Sequence, residues 1–272
     1  MSQIFKMLEI VFRDEHLVAV NKPANMLVHR SKVDRHETQF VMQTLRDQIG
    51  QHVFPLHRLD KPTSGVLLFA TSASVASLMQ GQFAEHKIEK QYIAIVRGYV
   101  DEKQQINYSL AEQLDKMTDN LDKKIEKKEA VTHLRPIASI QLPIPVSRYP
   151  TARFSLLELK PITGRKHQLR RHMAHIRHPI IGDTTHGDGK QNRFAREKLG
   201  FPRLALHAHS LCFFHPFTKQ NVTVKCSFDS DFSTLVRRFD SVLTRQIENT
   251  IEGYKRHIYN EALYRDLSFG KL

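Results

Sequence analysis

Cysteine is scarce in this chain, which has only Cys212 and Cys226 among its 272 residues. Two cysteines cannot build the disulfide framework of a small secreted protein or a zinc site with four thiolate ligands. Long apolar runs are also missing. No stretch approaches the ~20 apolar residues that cross a bilayer, and the N-terminal residues lack the apolar core of a signal peptide. These absences predict a cytoplasmic protein that does not associate with membranes.

Acidic residues are in the minority. Lys and Arg total 41 against 28 for Asp and Glu, which gives a formal net charge of +13, while a hydrophobic content of 40% is enough for an ordinary core. A positive excess of this size indicates a polyanionic partner rather than a small neutral metabolite. Nucleic acid, heparin-like chains and anionic lipid all fit the charge alone.

Asp60 stands in the most informative segment of the chain, HRLDKPTSGVLLFA. Pro62 and Gly65 predict a turn, and the apolar run that follows predicts a short buried strand, so Asp60 is expected on a loop fixed by the core. Arg58 is near enough in sequence to hold the carboxylate ionised. An ionised, oriented aspartate can act as a nucleophile, a base or an electrostatic stabiliser. A surface ion pair beside a turn fits the spacing equally well.

Signatures of several other chemistries are absent. The chain has no Gly-x-Ser-x-Gly elbow, no Walker loop and no Gly-x-Gly-x-x-Gly fingerprint. No partner carboxylate for Asp60 is evident, which weakens a two-carboxylate glycosidase scheme. The residues therefore support an Asp-dependent enzyme that acts on nucleic acid, with no cofactor indicated.

The densest basic segment, residues 164–178 (GRKHQLRRHMAHIRH), predicts a helix that begins near Gly164. Donors clustered at a helix N-terminus suit phosphate or carboxylate groups, although a solvated basic helix face explains the same residues. Four histidines in this segment also raise the possibility of a zinc site. No Asp, Glu or Cys within the segment completes such a site, and neighbouring Arg and Lys side chains would repel a divalent ion. We therefore expect a polyanion contact and no metal.

Two strand residues are candidates for a binding pocket. Tyr92 lies among apolar residues in QYIAIV, where an aromatic ring is usually part of the core but can also stack on a base. Leu206, in RLALHA, is expected in a buried strand, from whose end it can line a pocket.

Short predicted strands alternate with a few predicted helices along the chain. Strands are predicted as a pair within residues 8–20 and at residues 66–70, 91–96, 133–142, 153–159, 203–214 and 220–228. Helices are predicted from an N-cap at Thr38 to an end near Gly50 and over residues 72–86. This pattern favours an α+β fold with a mixed or antiparallel sheet. The highly charged residues 101–130 predict a surface insertion.

The motifs occur in an order that resembles the RluA family of pseudouridine synthases. HRLDKPTSGVLLFA is similar to the catalytic motif of that family, VAVNKPANMLVH to its entry strand and loop, KQYIAIVRG to its Tyr motif, GRKHQLRRHMAHIRHPIIGD to its Arg-containing motif, and RLALHA to its late strand. The resemblance implies the pseudouridine synthase fold, with a mixed, mainly antiparallel sheet and flanking helices around a catalytic cleft. We expect a catalytic domain over residues 1–228, with its charged insertion near 101–130, and a helical tail over 229–272.

The resemblance also implies roles for individual residues. Asp60 would be the catalytic aspartate, and Arg165 would pair with it and keep it ionised. Arg58 would help to displace or replace a flipped uridine, while Tyr92 would stack on the uracil and is a candidate to take the proton from carbon 5. The remaining substrate-binding candidates are Leu169 and Leu206 as pocket walls, together with His57, Lys166 and Arg170.

The implied reaction is the isomerisation of uridine to pseudouridine. The stretches LVHRS, VMQTLRDQIGQHVF, GRKHQLRRH and HPIIGD are most similar to family members that act on tRNA, which implies position 65 of the T stem as the target. No metal, nucleotide or redox cofactor is implied, and protein partners are unknown. The competing hypotheses are a ribosomal-RNA pseudouridine synthase, a non-catalytic RNA-binding protein with the same fold, and a metal-dependent nuclease.

Overall fold

The computed structural model describes residues 7–30, 38–112 and 126–240. In chain order the strands are β1 (Glu9–Arg13), β2 (Leu17–Lys22), β3 (Phe54–Pro55), β4 (Ser64–Ala70), β5 (Glu89–Arg97), β6 (Gln104–Asn107), β7 (Leu110–Ala111), β8 (Lys127–Lys128), β9 (Val131–Leu142), β10 (Ala152–Pro161), β11 (Leu206–Phe214) and β12 (Asn221–Lys225). The helices are α1 (Val41–Ile49), α2 (Ala73–Ala84), α3 (Gln168–His175), α4 (Gly189–Lys198) and α5 (Ser230–Val236), followed by a 3₁₀ turn at Arg237–Phe239. No helix in the three described ranges has the length and apolar character needed to cross a bilayer.

Ten of the strands form one mixed sheet. Its order is β1-β2-β4-β11-β5-β10-β9-β6, with β12 paired to β11 and β3 paired to β4, whereas β7 and β8 pair with each other. Every pairing in the large sheet is antiparallel except that of β4 with β11, which is parallel. The predicted α+β fold with a mixed, mainly antiparallel sheet is therefore confirmed.

The parallel pairing places β4, the strand that follows Asp60, in the middle of the sheet. All seven of its residues are buried, as the apolar run after Gly65 predicts. Gly65 has a φ of 116°, and a Cβ atom at this position would lie 2.2 Å from the carbonyl oxygen of Ala208 in β11. Glycine is required here because a side chain would force the two strands apart.

Helices flank the sheet and bury its apolar side chains. Leu45 of α1 packs in one buried cluster with β2 and β4, and Met79 of α2 packs in a second. The third and largest cluster joins α3, α4 and α5 to β5, β9 and β10. Phe232 of α5 is fully buried in that cluster, so the described beginning of the predicted tail packs against the sheet. Residues 241–272, the rest of that tail, lie outside the described residues.

Most of the predicted elements are confirmed, with three exceptions at helices. Helix α1 begins at Val41 rather than after Thr38, and its N-cap Phe40 makes no side-chain capping hydrogen bond. Helix α3 begins at Gln168 rather than near Gly164. Helix α4 was not predicted from the sequence at all. Within the charged insertion, the described flanks form β6, β7 and β8, and residues 113–125 lie outside the described ranges.

Candidate active site

A cleft of about 860 Å³ opens where the Asp60 loop meets the start of α3. The loop connects β3 to β4, and the carbonyl oxygen of Asp60 accepts a hydrogen bond of 3.0 Å from the backbone N–H of Thr63. The side chain of Asp60 is 27% exposed and lines this cleft, which we call the Asp60 cleft. A short turn fixed to a buried strand therefore presents the carboxylate to an open site.

Arg170, in the first turn of α3, holds the Asp60 carboxylate. Its Nη1 donates to Oδ2 of Asp60 at 3.1 Å. The same guanidinium donates from Nε and Nη2 to the two carboxylate oxygens of Asp183, both at 2.8 Å. Only 4% of the Arg170 side chain and 1% of the Asp183 side chain are exposed. Arg170 thus has one carboxylate partner in the core and a second in the cleft.

The electrostatics of this group keep it charged. Burial by itself would raise the pKa of Asp183, but hydrogen bonds from Arg170 and from the backbone N–H groups of His186 and Thr185 outweigh burial and hold that pKa below its usual value. Burial also works against the charged form of Arg170, yet its two carboxylate partners raise its pKa further. The Arg170–Asp183 pair is therefore an ionised support for Asp60 at neutral pH.

The predicted partners of Asp60 were wrong. Among the described residues, only the side chains of Arg170 and His167 form ion-pair contacts within 4.0 Å of its carboxylate. Arg165 lies in the turn before α3 and donates from Nε to the carbonyl oxygen of Glu129 at 3.0 Å. Arg58 lies in the Asp60 loop, two residues before Asp60, and is exposed. Both Arg165 and Arg58 nevertheless line the Asp60 cleft.

The other predicted site residues separate into two groups. The structure brings Tyr92, Leu169, Leu206 and His57 together in the lining of the Asp60 cleft. Lys166, in contrast, is exposed and is not part of that lining. Tyr92 packs against two of the buried clusters. Its removal from water and the nearby charge of Asp60 raise the pKa of its phenol, which therefore stays protonated at neutral pH.

His57 is anchored by the protein itself. Its Nε2 accepts a hydrogen bond of 3.1 Å from the backbone N–H of Leu68, and its ring stacks on Phe83 with 5.4 Å between centroids. Burial, with a contribution from the charge of Lys90, lowers the pKa of His57 to about 3. The ring is therefore neutral and forms a rigid part of the wall.

His167 is a further cleft residue that the sequence did not single out. Its Nε2 lies 3.9 Å from Oδ2 of Asp60, and its Nδ1 lies 3.0 Å from Nε2 of His186. Burial lowers the pKa of His167 to about 4, with further lowering by Arg170, His186 and Lys166 and an opposing effect of Asp60. The imidazole is therefore neutral beside the carboxylate.

Lys22, at the end of β2, fastens the entry loop to the Asp60 loop. Its fully buried ammonium group donates to the carbonyl oxygens of Pro23, Met26 and Lys61 at 2.9, 2.8 and 3.1 Å. Burial lowers the pKa of Lys22 to about 7, although the charge of Asp60 works in the opposite direction. Because Lys61 follows Asp60 directly, this lysine fixes the backbone that carries the carboxylate.

The far end of the Asp60 loop is tied to β11. The hydroxyl of Ser64 and Nδ1 of His207 are 2.9 Å apart, and Nε2 of the same ring is 3.3 Å from the sulfur of Cys226. All three side chains are buried, so this group has no access to a substrate. Its effect is to hold the Asp60 loop against the strand that carries Leu206.

The four histidines of the basic segment have other partners than a metal. His172 contacts the hydroxyl of Thr132 and the carbonyl oxygen of Tyr108. His178 contacts the carbonyl oxygen of Arg97, and the ring of His175 stacks on Tyr108. Across the described residues, no three His, Cys, Asp or Glu side chains form a group that could hold a metal ion.

Comparisons with known proteins identify the family of this chain. Residues 16–175 match the family described as RNA pseudouridylate synthase. The chain belongs to this family. A tRNA pseudouridine synthase C from Vibrio vulnificus (strain CMCP6) is 57% identical over 235 residues, which are 86% of this chain and 96% of that protein. Proteins of the same name from Vibrio cholerae serotype O1 and Yersinia pestis are 58% and 55% identical, again over 86% of this chain and over 96% and 91% of theirs.

Solved structures of the family share the fold. Human RNA Pseudouridylate Synthase Domain Containing 4 has a TM-score of 0.64 at 24% identity, over 85% of this chain and 93% of that one. Human RNA Pseudouridylate Synthase Domain Containing 1 has a TM-score of 0.63 at 24% identity, over 89% and 98%. The predicted pseudouridine synthase fold is thus confirmed. The family match and the similar proteins from bacteria identify the chain as an RNA pseudouridine synthase.

Four residues of this pseudouridine synthase site escaped the sequence analysis. They are Lys22, Lys90, His167 and Asp183. Lys22 and Asp183 are buried charges that connect to the site through Lys61, 39 positions away, and Arg170, 13 positions away, so no helix or strand periodicity marks them. Lys90 lines the Asp60 cleft, and its pKa is lowered by burial. His167 was visible only as one of several histidines in a basic segment, because its contact with the cleft depends on the turn before α3.

Proposed function

We propose that this pseudouridine synthase isomerises uridine in tRNA, at position 65 of the T stem, with Asp60 as its catalytic carboxylate. The observation that carries the proposal is that, among the described residues, Asp60 is the only carboxylate in the lining of the cleft. The names of the similar proteins support tRNA as the substrate. The net charge of +13 suits a polyanion of this kind.

The proposed substrate has to leave its base stack before it reacts. A uridine inside a stem exposes neither its glycosidic bond nor carbon 5 to a side chain, so the enzyme must flip it out at a cost of a few kcal/mol. Arg58 is exposed and lines the Asp60 cleft, which supports a role for it in occupying the space that the flipped base leaves. The wall residues Leu169 and Leu206 then exclude water from the uracil, and Tyr92 stacks on it.

Asp60 opens the reaction from the bottom of this arrangement. Its carboxylate, oriented by Arg170, acts on the flipped nucleotide so that the bond between C1′ of the ribose and N1 of the uracil breaks. The uracil turns within the cleft, and its carbon 5 bonds to C1′. Loss of the carbon 5 proton and gain of a proton at N1 complete the isomerisation, which needs no nucleotide or redox cofactor. We place the enzyme in the cytoplasm, together with its tRNA substrate.

Pseudouridine mapping of tRNA and of ribosomal RNA tests the choice of substrate. Both RNAs are prepared without modification, incubated with the enzyme and sequenced after carbodiimide treatment. We expect new pseudouridine at position 65 of a subset of tRNAs and none in ribosomal RNA. Modification of ribosomal RNA alone would preserve the chemistry but overturn the substrate. Binding of either RNA without any new pseudouridine would favour a non-catalytic RNA-binding protein.

A further inference from the structure

Two histidine rings connect the Asp60 carboxylate to the outside of the site. The ring of His167 lies between Asp60 and His186. Its Nε2 is 3.9 Å from Oδ2 of Asp60, and its Nδ1 is 3.0 Å from Nε2 of His186. His167 lines the Asp60 cleft, and its side chain is 20% exposed. His186 is half-buried and belongs to the segment that follows Asp183. The contact of hydrogen-bond length between the two rings therefore joins a histidine of the cleft lining to one outside that lining.

The backbone at His167 is held in an unfavourable conformation. Its φ is 55° and its ψ is 26°, in the left-handed region that non-glycine residues rarely adopt. The surrounding turn enforces this geometry, because Oε1 of Gln168 accepts hydrogen bonds from the hydroxyl of Thr163 at 2.6 Å and from the backbone N–H of Arg165 at 3.0 Å. Backbone strain that neighbours over-determine is characteristic of functional positions. Here it directs the imidazole toward Asp60.

We propose that His167 receives the proton that leaves carbon 5 of the uracil and passes it to His186. This inference rests on the proposed isomerisation. When carbon 5 has bonded to C1′, the C5–H bond breaks and its proton goes to Nε2 of His167. The electron pair of that bond forms the C5=C6 double bond, and the pair of the N1=C6 bond returns to N1, which takes a proton from solvent. His167 releases its Nδ1 proton to Nε2 of His186, and His186 releases its own Nδ1 proton to solvent.

The charges around His167 suit this transfer. Asp60, Arg170, Lys166 and His186 are the charged or titratable groups that act on it, and burial together with three of them keeps the ring neutral and able to accept a proton. Asp60 then stabilises the imidazolium that forms. Tyr92 is a poorer proton acceptor than His167. The raised pKa of its phenol keeps the hydroxyl group protonated, and a protonated phenol does not take a second proton at neutral pH. We therefore assign Tyr92 to stacking alone.

The test is single-turnover kinetics with tRNA whose uridines carry either hydrogen or deuterium at carbon 5. Asparagine tolerates a positive φ, so His167→Asn should keep the backbone of the turn. In this variant, pseudouridine formation should slow about 100-fold or more. Proton loss would then limit the rate, so deuterium should slow it further, whereas the wild-type rate should respond little to deuterium. Affinity for tRNA should not change. His186→Asn leaves α3 intact and should show the same isotope effect with a smaller loss of rate.

The controls separate this proposal from a structural role. His52→Asn changes an exposed histidine outside the Asp60 cleft and should behave like the wild type. A slow His167→Asn variant without an isotope effect, or one with the wild-type rate, would overturn the relay while the wild type still makes pseudouridine. If the wild type makes no pseudouridine in any RNA, the proposed function fails and the relay fails with it.

Discussion

Nη1 of Arg170 donates a hydrogen bond of 3.1 Å to the Asp60 carboxylate, although 110 positions separate the two residues in the sequence. The guanidinium cannot follow a movement of Asp60, because two of its nitrogens are bound to the buried Asp183. The carboxylate is therefore oriented before any substrate arrives. Orientation of this kind lowers the barrier of a reaction without a cost at the moment of reaction.

Removal of Arg170 should damage both stability and activity. Arg170→Met leaves the carboxylate of Asp183 buried without its partner, and breaking a buried pair in this way costs about 3–5 kcal/mol of the free energy of unfolding. Urea unfolding measures this loss. The double variant Arg170→Met/Asp183→Asn removes the stranded charge, keeps an oxygen for the backbone N–H groups of Thr185 and His186, and should recover most of the stability.

The same double variant distinguishes positioning from stability. We expect it to remain at least about 100-fold slower than the wild type in single-turnover pseudouridine formation, because Asp60 has lost its support. A stable double variant with wild-type activity would show that Arg170 serves the fold alone.

Arg165 should contribute to RNA binding rather than to the chemical step. Its side chain lines the Asp60 cleft but bonds to the carbonyl oxygen of Glu129 instead of Asp60. We expect Arg165→Gln to weaken tRNA affinity and to reduce the slope of its salt dependence by about 1, as for a lost phosphate contact. The rate at saturating enzyme should stay close to that of the wild type. A loss of this rate as large as in an Arg170 variant would restore Arg165 to the catalytic group.

The contribution of Tyr92 to the reaction should come from its aromatic ring and not from its hydroxyl group. Tyr92→Phe keeps the aromatic face, so single-turnover pseudouridine formation should remain near the wild-type rate. Tyr92→Ala removes a stacking contact worth about 1–3 kcal/mol and should slow the reaction accordingly. An inactive but folded Tyr92→Phe variant would contradict the assignment and make the phenol a participant in proton transfer.

Stability should fall on mild acidification, and two of the histidines responsible are His57 and His207. Burial lowers the pKa of His57 and of His207 from 6.5 to about 3 in the folded protein. Between these pKa values the unfolded chain binds more protons than the folded one, so stability is complete above pH 6.5 and decreases as the pH falls toward 3. At pH 5.5 we expect each ring to cost roughly 1.4 kcal/mol.

Urea unfolding at pH 7.5 and at pH 5.5 measures this decrease. His207→Gln removes one of these groups and should lose less stability between the two pH values than the wild type loses. If both proteins lose the same amount, His207 is not one of the groups responsible.

The sequence pattern predicted the elements that determine the position of Asp60. Strand β4 could be predicted because a strand buried on both faces has a continuous run of apolar residues, which is visible in the sequence alone. Helix α2 was predicted from its apolar spacing, and its N-cap Ser72 accepts a hydrogen bond of 3.3 Å from the backbone N–H of Val75. Helix α4 was missed because its sequence, GKQNRFAREK, is largely polar, with Phe194 and Ala195 as its buried apolar residues.

The arginine that supports Asp60 could not be identified from sequence spacing. Arg165 and Arg170 are only five positions apart, and which of them points to Asp60 depends on where α3 begins. The left-handed turn at His167 delays the helix to Gln168, which turns Arg170 inward between Asp60 and Asp183. The parallel contact of β4 with β11 likewise joins residues 143 positions apart. Neither relationship leaves a periodic trace in the chain.

The most direct test of the account compares the wild type with Asp60→Asn, which keeps the size of the side chain but removes its charge. Tritium release from carbon 5 of uridine-labelled tRNA, followed under single-turnover conditions, reports the reaction in both proteins. We predict release by the wild type and none above background by Asp60→Asn, with tRNA affinity retained. Release by Asp60→Asn at a rate near that of the wild type would contradict the role of this carboxylate as the catalytic group.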